Sequence, residues 1–232
     1  MTGRGRQLAL ELPHRPAMGR DDFLVTASNT AAVSLIDHWP DWPAHAALLV
    51  GPPGSGKSHL VEVWRQRSGA ARIAAAELTT EQAPALLSGH ALAVEDAGGG
   101  VDERSLFHLL NLAKQQNSSV LLTAQRLPEF WGIALPDLLS RLRAIPVVEI
   151  LPPDDALLRG VLVKLFFDRQ LGAEESTISF MVTRMPRSLG AARMLVAEID
   201  RRALEERAEV TRPFVARVLS DFSVPELSGE AD

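Results

Sequence analysis

Gly51-Pro52-Pro53-Gly54-Ser55-Gly56-Lys57-Ser58 satisfies G-x-x-x-x-G-K-[ST], the spacing of a phosphate-binding P-loop. Ala46-Ala47-Leu48-Leu49-Val50 precedes it, a short apolar run of the kind that forms a buried parallel strand. His59-Leu60-Val61-Glu62-Val63-Trp64 follows and reads as the start of a helix. Strand, glycine loop and helix are the context that the motif needs. The glycines let backbone N–H groups turn inward around phosphate oxygens, and the helix N-terminus adds a favourable field. In that arrangement Lys57 reaches the β- and γ-phosphates and the Ser58 hydroxyl ligates Mg²⁺. The candidate nucleotide-binding stretch is therefore Gly51 through His59.

Composition narrows the remaining classes. A chain of 232 residues holds one large domain, or one domain with a small appendage. At 46% hydrophobic and 23% charged it reads as soluble and globular. A net charge of −5 and a pI near 5.7 argue against a surface dedicated to sequence-specific DNA binding. The absence of cysteine removes disulfides, cysteine–zinc sites and thiol catalysis together, and a cytoplasmic location is expected. No apolar run approaches the roughly 18 residues of a membrane span. Arg4, Arg6, Arg15 and Arg20 lie near the N-terminus without the continuous apolar core of a secretory signal. The six histidines are scattered singly, without metal-ligand spacing.

The pattern along the chain predicts an α/β unit followed by helices. Residues 1–20 read as an extended arm, with Pro13 and Pro16 opposing helix. Asn29 is expected to cap a helix through Asp37, stopped by Trp39-Pro40-Asp41-Trp42-Pro43. Strands are expected at Ala46–Val50, Ala71–Ala75, Ala91–Val94, Val120–Thr123 and Val147–Ile150. Helices are expected at about Ser58–Gln66, Thr80–Ser88 and Glu103–Gln116. Such alternation gives a parallel sheet with helices on both faces, here over residues 21–152. After Pro152-Pro153 the segments Ala156–Leu171, Glu174–Arg184, Ser188–Arg207 and Arg212–Phe222 all read as helices. They form a second, helical unit over 153–223, with a frayed tail at 224–232.

A nucleotide-hydrolysing P-loop protein needs an acidic group for Mg²⁺ and a polar group to position water. Ala91-Leu92-Ala93-Val94-Glu95-Asp96 is an apolar strand ending in paired carboxylates, which at a strand's C-terminal end face the phosphates. The more usual order places Asp first; here Glu95 comes first, which fits weak hydrolysis. Val120-Leu121-Leu122-Thr123-Ala124-Gln125 is a second such strand, where Thr123 or Gln125 senses the γ-phosphate. Arg141, in Leu138-Leu139-Ser140-Arg141-Leu142-Arg143, reads either as a surface cation or as an arginine donated to a neighbour's nucleotide. Arg187, in Met185-Pro186-Arg187-Ser188-Leu189, is placed either to swing onto the nucleotide or to stand in solvent.

These pieces, in this order, resemble the AAA+ ATPases, and within them the DnaA-related branch that contains the replication initiator DnaA and Hda, the regulatory inactivator of DnaA. The resemblance covers nearly the whole chain. Gly51–Ser58 is similar to Walker A, Ala91–Asp96 to Walker B, and Thr123–Pro128 to the sensor 1 segment. Leu138–Leu142 resembles the arginine-finger segment, and Arg187 falls at sensor 2. Asp22-Phe23-Leu24-Val25 and Asn29 resemble the segment that packs near the adenine, which implies Phe23 and Val25 as base-contacting residues. Gln7-Leu8-Ala9-Leu10-Glu11-Leu12 resembles the peptide with which Hda-like members bind the DNA polymerase sliding clamp. An extended arm would present Leu8, Leu10 and Leu12 to an apolar groove, with Gln7 hydrogen-bonding at its edge. The resemblance thus implies ATP or ADP with Mg²⁺ held by Ser58, Glu95 and Asp96, with Gln125 also at the catalytic site. It implies DnaA and the clamp as partners, and a homodimer or oligomer is also open. The basic DNA-binding domain of DnaA has no counterpart in these 232 residues, so a regulator is expected in which Arg141 completes DnaA's ATPase site in trans. The alternatives are an autonomous ATPase such as a helicase loader and a small-molecule kinase. The helical region follows the sheet instead of interrupting it, which speaks against a kinase.

Overall fold

The computed structural model describes residues 24–222. Five parallel strands form one sheet: β1 (Ala46–Val50), β2 (Ala71–Ala74), β3 (Ala91–Glu95), β4 (Ser119–Ala124) and β5 (Val147–Glu149), in the order β2-β3-β4-β1-β5. Helices α1 (Thr30–Asp37), α2 (Lys57–Ser68), α3 (Ala83–Leu86), α4 (Glu103–Gln115) and α5 (Pro136–Ala144) accompany the strands. Four more helices follow without a strand among them: α6 (Asp155–Asp168), α7 (Glu175–Arg184), α8 (Leu189–Glu206) and α9 (Arg212–Asp221).

The apolar runs of the central strands are continuous because both faces of the sheet are covered. Side chains alternate across a strand, so β1 divides its residues between two cores. Ala46, Leu48 and Val50 join Leu92, Val94, Val120 and Leu122 on the face packed by Leu106, Leu109, Leu138 and Leu142 of α4 and α5. Ala47 and Leu49 join Ala93 and Leu121 on the opposite face, under Val33 and Ile36 of α1 and Leu60, Val61 and Trp64 of α2. The helices after Pro152-Pro153 build a third core of their own around Leu158, Leu162, Phe166, Met181, Leu195, Val196, Ile199 and Val218. They are well begun: Asp154 accepts from the Leu157 N–H (2.7 Å), Ser188 from that of Ala191 (3.2 Å) and Thr211 from that of Phe214 (3.4 Å).

The five strands lie where the hydrophobic pattern places them, within one residue at most ends. Three local expectations are corrected. Asn29 precedes α1 but does not cap it; its Oδ1 accepts from the Thr26 N–H (2.9 Å) and its Nδ2 donates to the Leu24 carbonyl (2.8 Å). The side chain is used to close the turn before the helix, and Asn29 is buried there. The helix expected over Thr80–Ser88 is only Ala83–Leu86, because Pro84 suits a first turn and the preceding residues close a side-chain turn between Thr79 and Gln82. Finally, no helix is among the expected elements over Pro136–Ala144, and one is present there; Pro136 is its first residue.

No helix among the described residues is long and apolar enough to cross a membrane. The parallel topology brings the C-terminal ends of β1, β3 and β4 to one edge of the sheet. The Gly51–Ser58 loop, Glu95-Asp96 and Thr123–Gln125 all leave the sheet at that edge.

Candidate functional site

The loop between β1 and α2 is built on backbone geometry. Gly54 and Gly56 both have positive φ, +72° and +103°, which an L side chain rarely adopts. The Gly51 N–H donates to the Ala124 carbonyl (3.1 Å), anchoring the loop to β4. Lys57 opens α2 and is only 8% exposed. Its Nζ donates to the carbonyls of Gly51 (2.6 Å) and Pro52 (3.0 Å). Burial lowers its pKa from the ordinary lysine value, and the charges of Asp96 and then Glu95 oppose that lowering. An ammonium is thus held inside the loop, with two carboxylates close enough to act on it. The Ser55 hydroxyl is buried in the same loop and has no hydrogen-bond partner among the described residues. A glycine cradle, a buried ammonium and an orphaned hydroxyl fit a phosphate-bearing ligand.

The two carboxylates that the sequence pairs are separated by the backbone. Glu95 ends β3 and is buried; Ser58 Oγ donates to its Oε2 at 2.6 Å. Asp96 lies in the left-handed region at φ +58° and is exposed, while its N–H donates to Thr123 Oγ1 (3.2 Å). Thr123 is buried and joins β4 to that turn, and its carbonyl accepts the Ala97 N–H (2.8 Å). Gln125 lies exposed just beyond β4. Of the two polar residues at this strand end, Thr123 is therefore the one tied to the acidic turn.

Arg72 was not anticipated from the sequence. Its Nε lies 2.9 Å from Glu95 Oε1, close enough for an ion pair but without the alignment of a hydrogen bond. In β2, Arg72 is opposite Ala93 and Ala74 is opposite Glu95, so the arginine reaches Glu95 diagonally across the ladder. An arginine in a four-residue strand gives no sign of this; only the β2–β3 register does.

The helical unit reaches the loop through the start of α8. The Leu189 N–H donates to the Gly54 carbonyl (2.9 Å). A Cβ on Gly54 would stand 2.0 Å from Ser188 Oγ and 3.2 Å from the Gly190 nitrogen. Arg187, one residue earlier, turns the other way: it donates to Asp155 Oδ1 (2.5 Å) and to the Pro153 carbonyl (3.2 Å). It ties α8 to the start of α6 and makes no described contact with the loop. Gly54→Ala is therefore expected to combine backbone strain with a clash against the helical unit. The loss is about 2 kcal/mol, a melting point lower by about 4–8 °C. Adding Ser188→Gly removes the clash but not the strain, and thermal unfolding of both variants should show partial recovery. No recovery would mean that the contact carries nothing.

Arg141 lies on α5, its guanidinium 5.0 Å from the centre of the Phe107 ring of α4. It is partly exposed and makes no described contact with Gly51–Ser58. Val25 is 45% exposed, in a segment that bridges the two units. Beside it, Leu24 approaches Gly160 of α6, and the Ser28 carbonyl accepts from the Leu151 N–H after β5 (3.1 Å). The Asp154 carboxyl is held below its ordinary pKa, first by the Leu157 N–H, with burial opposing and the Thr26 and Ser28 hydroxyls adding to the lowering. Gln7, Leu8, Leu10, Leu12 and Phe23 lie outside the described residues.

No known protein-family model matches the chain. An uncharacterized protein of Haemophilus influenzae is 27% identical over 119 residues, covering 51% of this chain and 52% of the relative. The chain thus matches about half the length of that curated relative. Among solved structures, domain III of the Thermotoga maritima replication initiation protein DnaA superposes with TM-score 0.75 at 18% identity, over 92% of this chain and 100% of that one. AMPPCP-bound DnaA from Aquifex aeolicus gives TM-score 0.64 at 17% identity, over 83% of this chain and 70% of that one. The Thermotoga maritima RuvB Holliday junction branch migration motor gives 0.68 at 16% identity, over 88% and 72%. The fold is that of the AAA+ ATPases: a five-stranded parallel sheet flanked by helices, followed by a helical unit.

Proposed function

We propose that the chain binds an adenine nucleotide, ATP or ADP, at Gly51–Ser58 and acts as a DnaA-related regulator of replication initiation. Arg141 completes the ATPase site of a bound DnaA in trans. The observation that carries the nucleotide site is the buried Lys57 ammonium inside a glycine loop, beside an orphaned Ser55 hydroxyl. The likeness to a DnaA solved with AMPPCP supports adenine as the base. Ser58 and Glu95 are the oxygens that would hold Mg²⁺, with Asp96 at the solvent edge; the ion supplies charge neutralisation at the phosphates when bound.

The chain's own residues favour holding a nucleotide over turning it over rapidly. Glu95 is already engaged by Ser58 and Arg72, and Thr123 is occupied by the Asp96 N–H. Arg141 rests on Phe107 and makes no described contact with the chain's own loop, which leaves it available to a second molecule. The Gln7–Leu12 arm is proposed to dock on the sliding clamp and bring this chain to DnaA on DNA. The test measures hydrolysis of DnaA-bound ATP with this protein and DNA-loaded clamp. Wild type is expected to stimulate it, and Arg141→Ala to fall back to the rate of DnaA alone. Equal stimulation by Arg141→Ala, or fast turnover by the isolated chain without effect on DnaA, rejects the trans role.

A further inference from the structure

Both oxygens of the Glu95 carboxylate are approached by the chain's own groups. Ser58 Oγ donates to Oε2 at 2.6 Å, and Arg72 Nε lies 2.9 Å from Oε1. Oε1 is shut off from solvent and accepts no hydrogen bond from the described residues. A carboxylate oxygen in that position keeps its charge at low cost only with a cation beside it. Arg72 belongs to β2, an outer strand of the sheet, and occupies an exposed position there. An arginine on an edge strand ordinarily extends into water. Here the guanidinium turns back over β3 to a carboxyl that is only 11% exposed, while the arginine side chain itself stays 52% exposed. The order Glu95 before Asp96 gains a use from this. Glutamate is a methylene longer than aspartate, and its carboxyl stands between the first turn of α2 and the neighbouring strand.

The charges at this edge of the sheet are already matched. Glu95 and Asp96 both act on the Lys57 ammonium, but Lys57 spends its hydrogens on the Gly51 and Pro52 carbonyls. The second cation is Arg72. A phosphate chain seated on the loop brings more negative charge towards the two carboxylates. In P-loop sites that hydrolyse nucleotides, a divalent cation offsets that charge. In this chain a guanidinium stands against Glu95 before any metal enters. It neutralises the carboxylate and repels a further cation drawn to it.

We infer that Arg72 supplies at Glu95 the charge neutralisation that Mg²⁺ would otherwise provide, so that Gly51–Ser58 holds a nucleotide with little dependence on Mg²⁺. This rests on the reading of that loop as a nucleotide site and adds to it what sets the metal dependence. Arg72 is a positioning residue that acts on the nucleotide through Glu95. The same pairing weakens the pull of Glu95 on the metal that rapid hydrolysis needs.

The experiment titrates fluorescent ATP and ADP into the full-length chain, once in millimolar Mg²⁺ and once in EDTA. It is repeated with Arg72→Ala, Arg72→Lys, Glu95→Gln and the Arg72→Ala, Glu95→Gln double variant, each also followed by thermal unfolding. The readout is the ratio of the two dissociation constants, EDTA over Mg²⁺. For wild type the ratio is expected to stay within about threefold of unity. Arg72→Ala should raise it by at least about 10-fold, by weakening binding in EDTA and not in Mg²⁺. Arg72→Lys keeps the charge and should stay near wild type. In the Glu95→Gln background, Arg72→Ala should change the ratio by less than about twofold, because its carboxylate partner is gone.

An Arg72→Ala ratio equal to that of wild type overturns the inference. So does a shift that persists in the Glu95→Gln background, since Arg72 then acts without Glu95. Weaker binding in both media alike, following a lower melting temperature, makes Arg72 a residue of the fold and also overturns it. Wild type that binds nucleotide only with Mg²⁺ overturns the inference and leaves the loop reading intact. A wild-type chain that binds neither nucleotide in either medium removes the loop reading, and the inference with it.

Discussion

Lys57→Ala is expected to weaken nucleotide binding by at least about 100-fold, because charge-assisted contacts of roughly 1.5–3 kcal/mol each disappear together. Lys57 is nearly buried, and its Nζ is held by two loop carbonyls, Gly51 and Pro52, at the start of α2. A phosphate chain entering the cradle meets a positive charge already desolvated and aimed, so little ordering is left to be done on binding. The fold itself should tolerate the change. Removing the ammonium relieves its desolvation, which offsets the loss of its bonds to the buried Gly51 carbonyl and the more open Pro52 carbonyl, so the melting temperature should move by no more than about 3 °C. Isothermal titration with ATP and ADP, paired with thermal unfolding, checks both halves. Binding within threefold of wild type would reject the site; a large loss of melting temperature would make Lys57 a structural residue first.

The second large effect concerns the helix that carries Lys57 and Ser58. Trp64 is fully buried on the underside of α2. Trp42 stacks on it at 5.5 Å and 19°, and Trp39 meets it edge-on at 6.0 Å and 90°. Leu60 and Val61 of the same helix and Ala47 and Leu49 of β1 belong to this core. Trp64→Ala leaves a cavity that rigid neighbours cannot fill and is expected to cost about 3–5 kcal/mol, or about 6–20 °C in melting temperature. Trp64→Phe gives the discriminating comparison. The indole nitrogen of Trp64 is buried with no hydrogen-bond partner among the described residues, so phenylalanine removes an unsatisfied donor along with part of the ring. Its cost should stay below about 1.5 kcal/mol. Equal losses for the two variants would mean that ring stacking, and not the filled volume, carries the stability.

Much of the fold was legible because its signals are local or periodic. Ala46–Val50, Gly51–Ser58 and the start of α2 follow one another within a few residues, and each has a pattern that few other structures share. The apolar runs at Ala91–Val94 and Val120–Thr123 read as strands, and are continuous because both faces of the sheet are covered. The pattern was weaker where a single residue type has two uses. Asn29 stands at a helix start as capping residues do, yet its amide closes the preceding turn. Pro136 begins a helix that the expected elements did not include, since a missing N–H costs nothing in the first turn.

The sequence by itself determined that this chain carries a phosphate-type loop, an acidic strand end at Glu95-Asp96 and a helical unit after Pro152-Pro153. Those follow from spacing along the backbone, which sequence records directly. Only the tertiary structure decided which side chains meet. Arg72 reaches Glu95 through the β2–β3 register, Leu189 and Ser188 seat α8 on Gly54, and Arg187 is drawn off to Asp155. These pairs lie between 23 and about 135 residues apart, and neighbours at such separations are set by strand order, register and helix docking. That is why Arg187, the arginine that looked most like a lid contact, is already paired with Asp155.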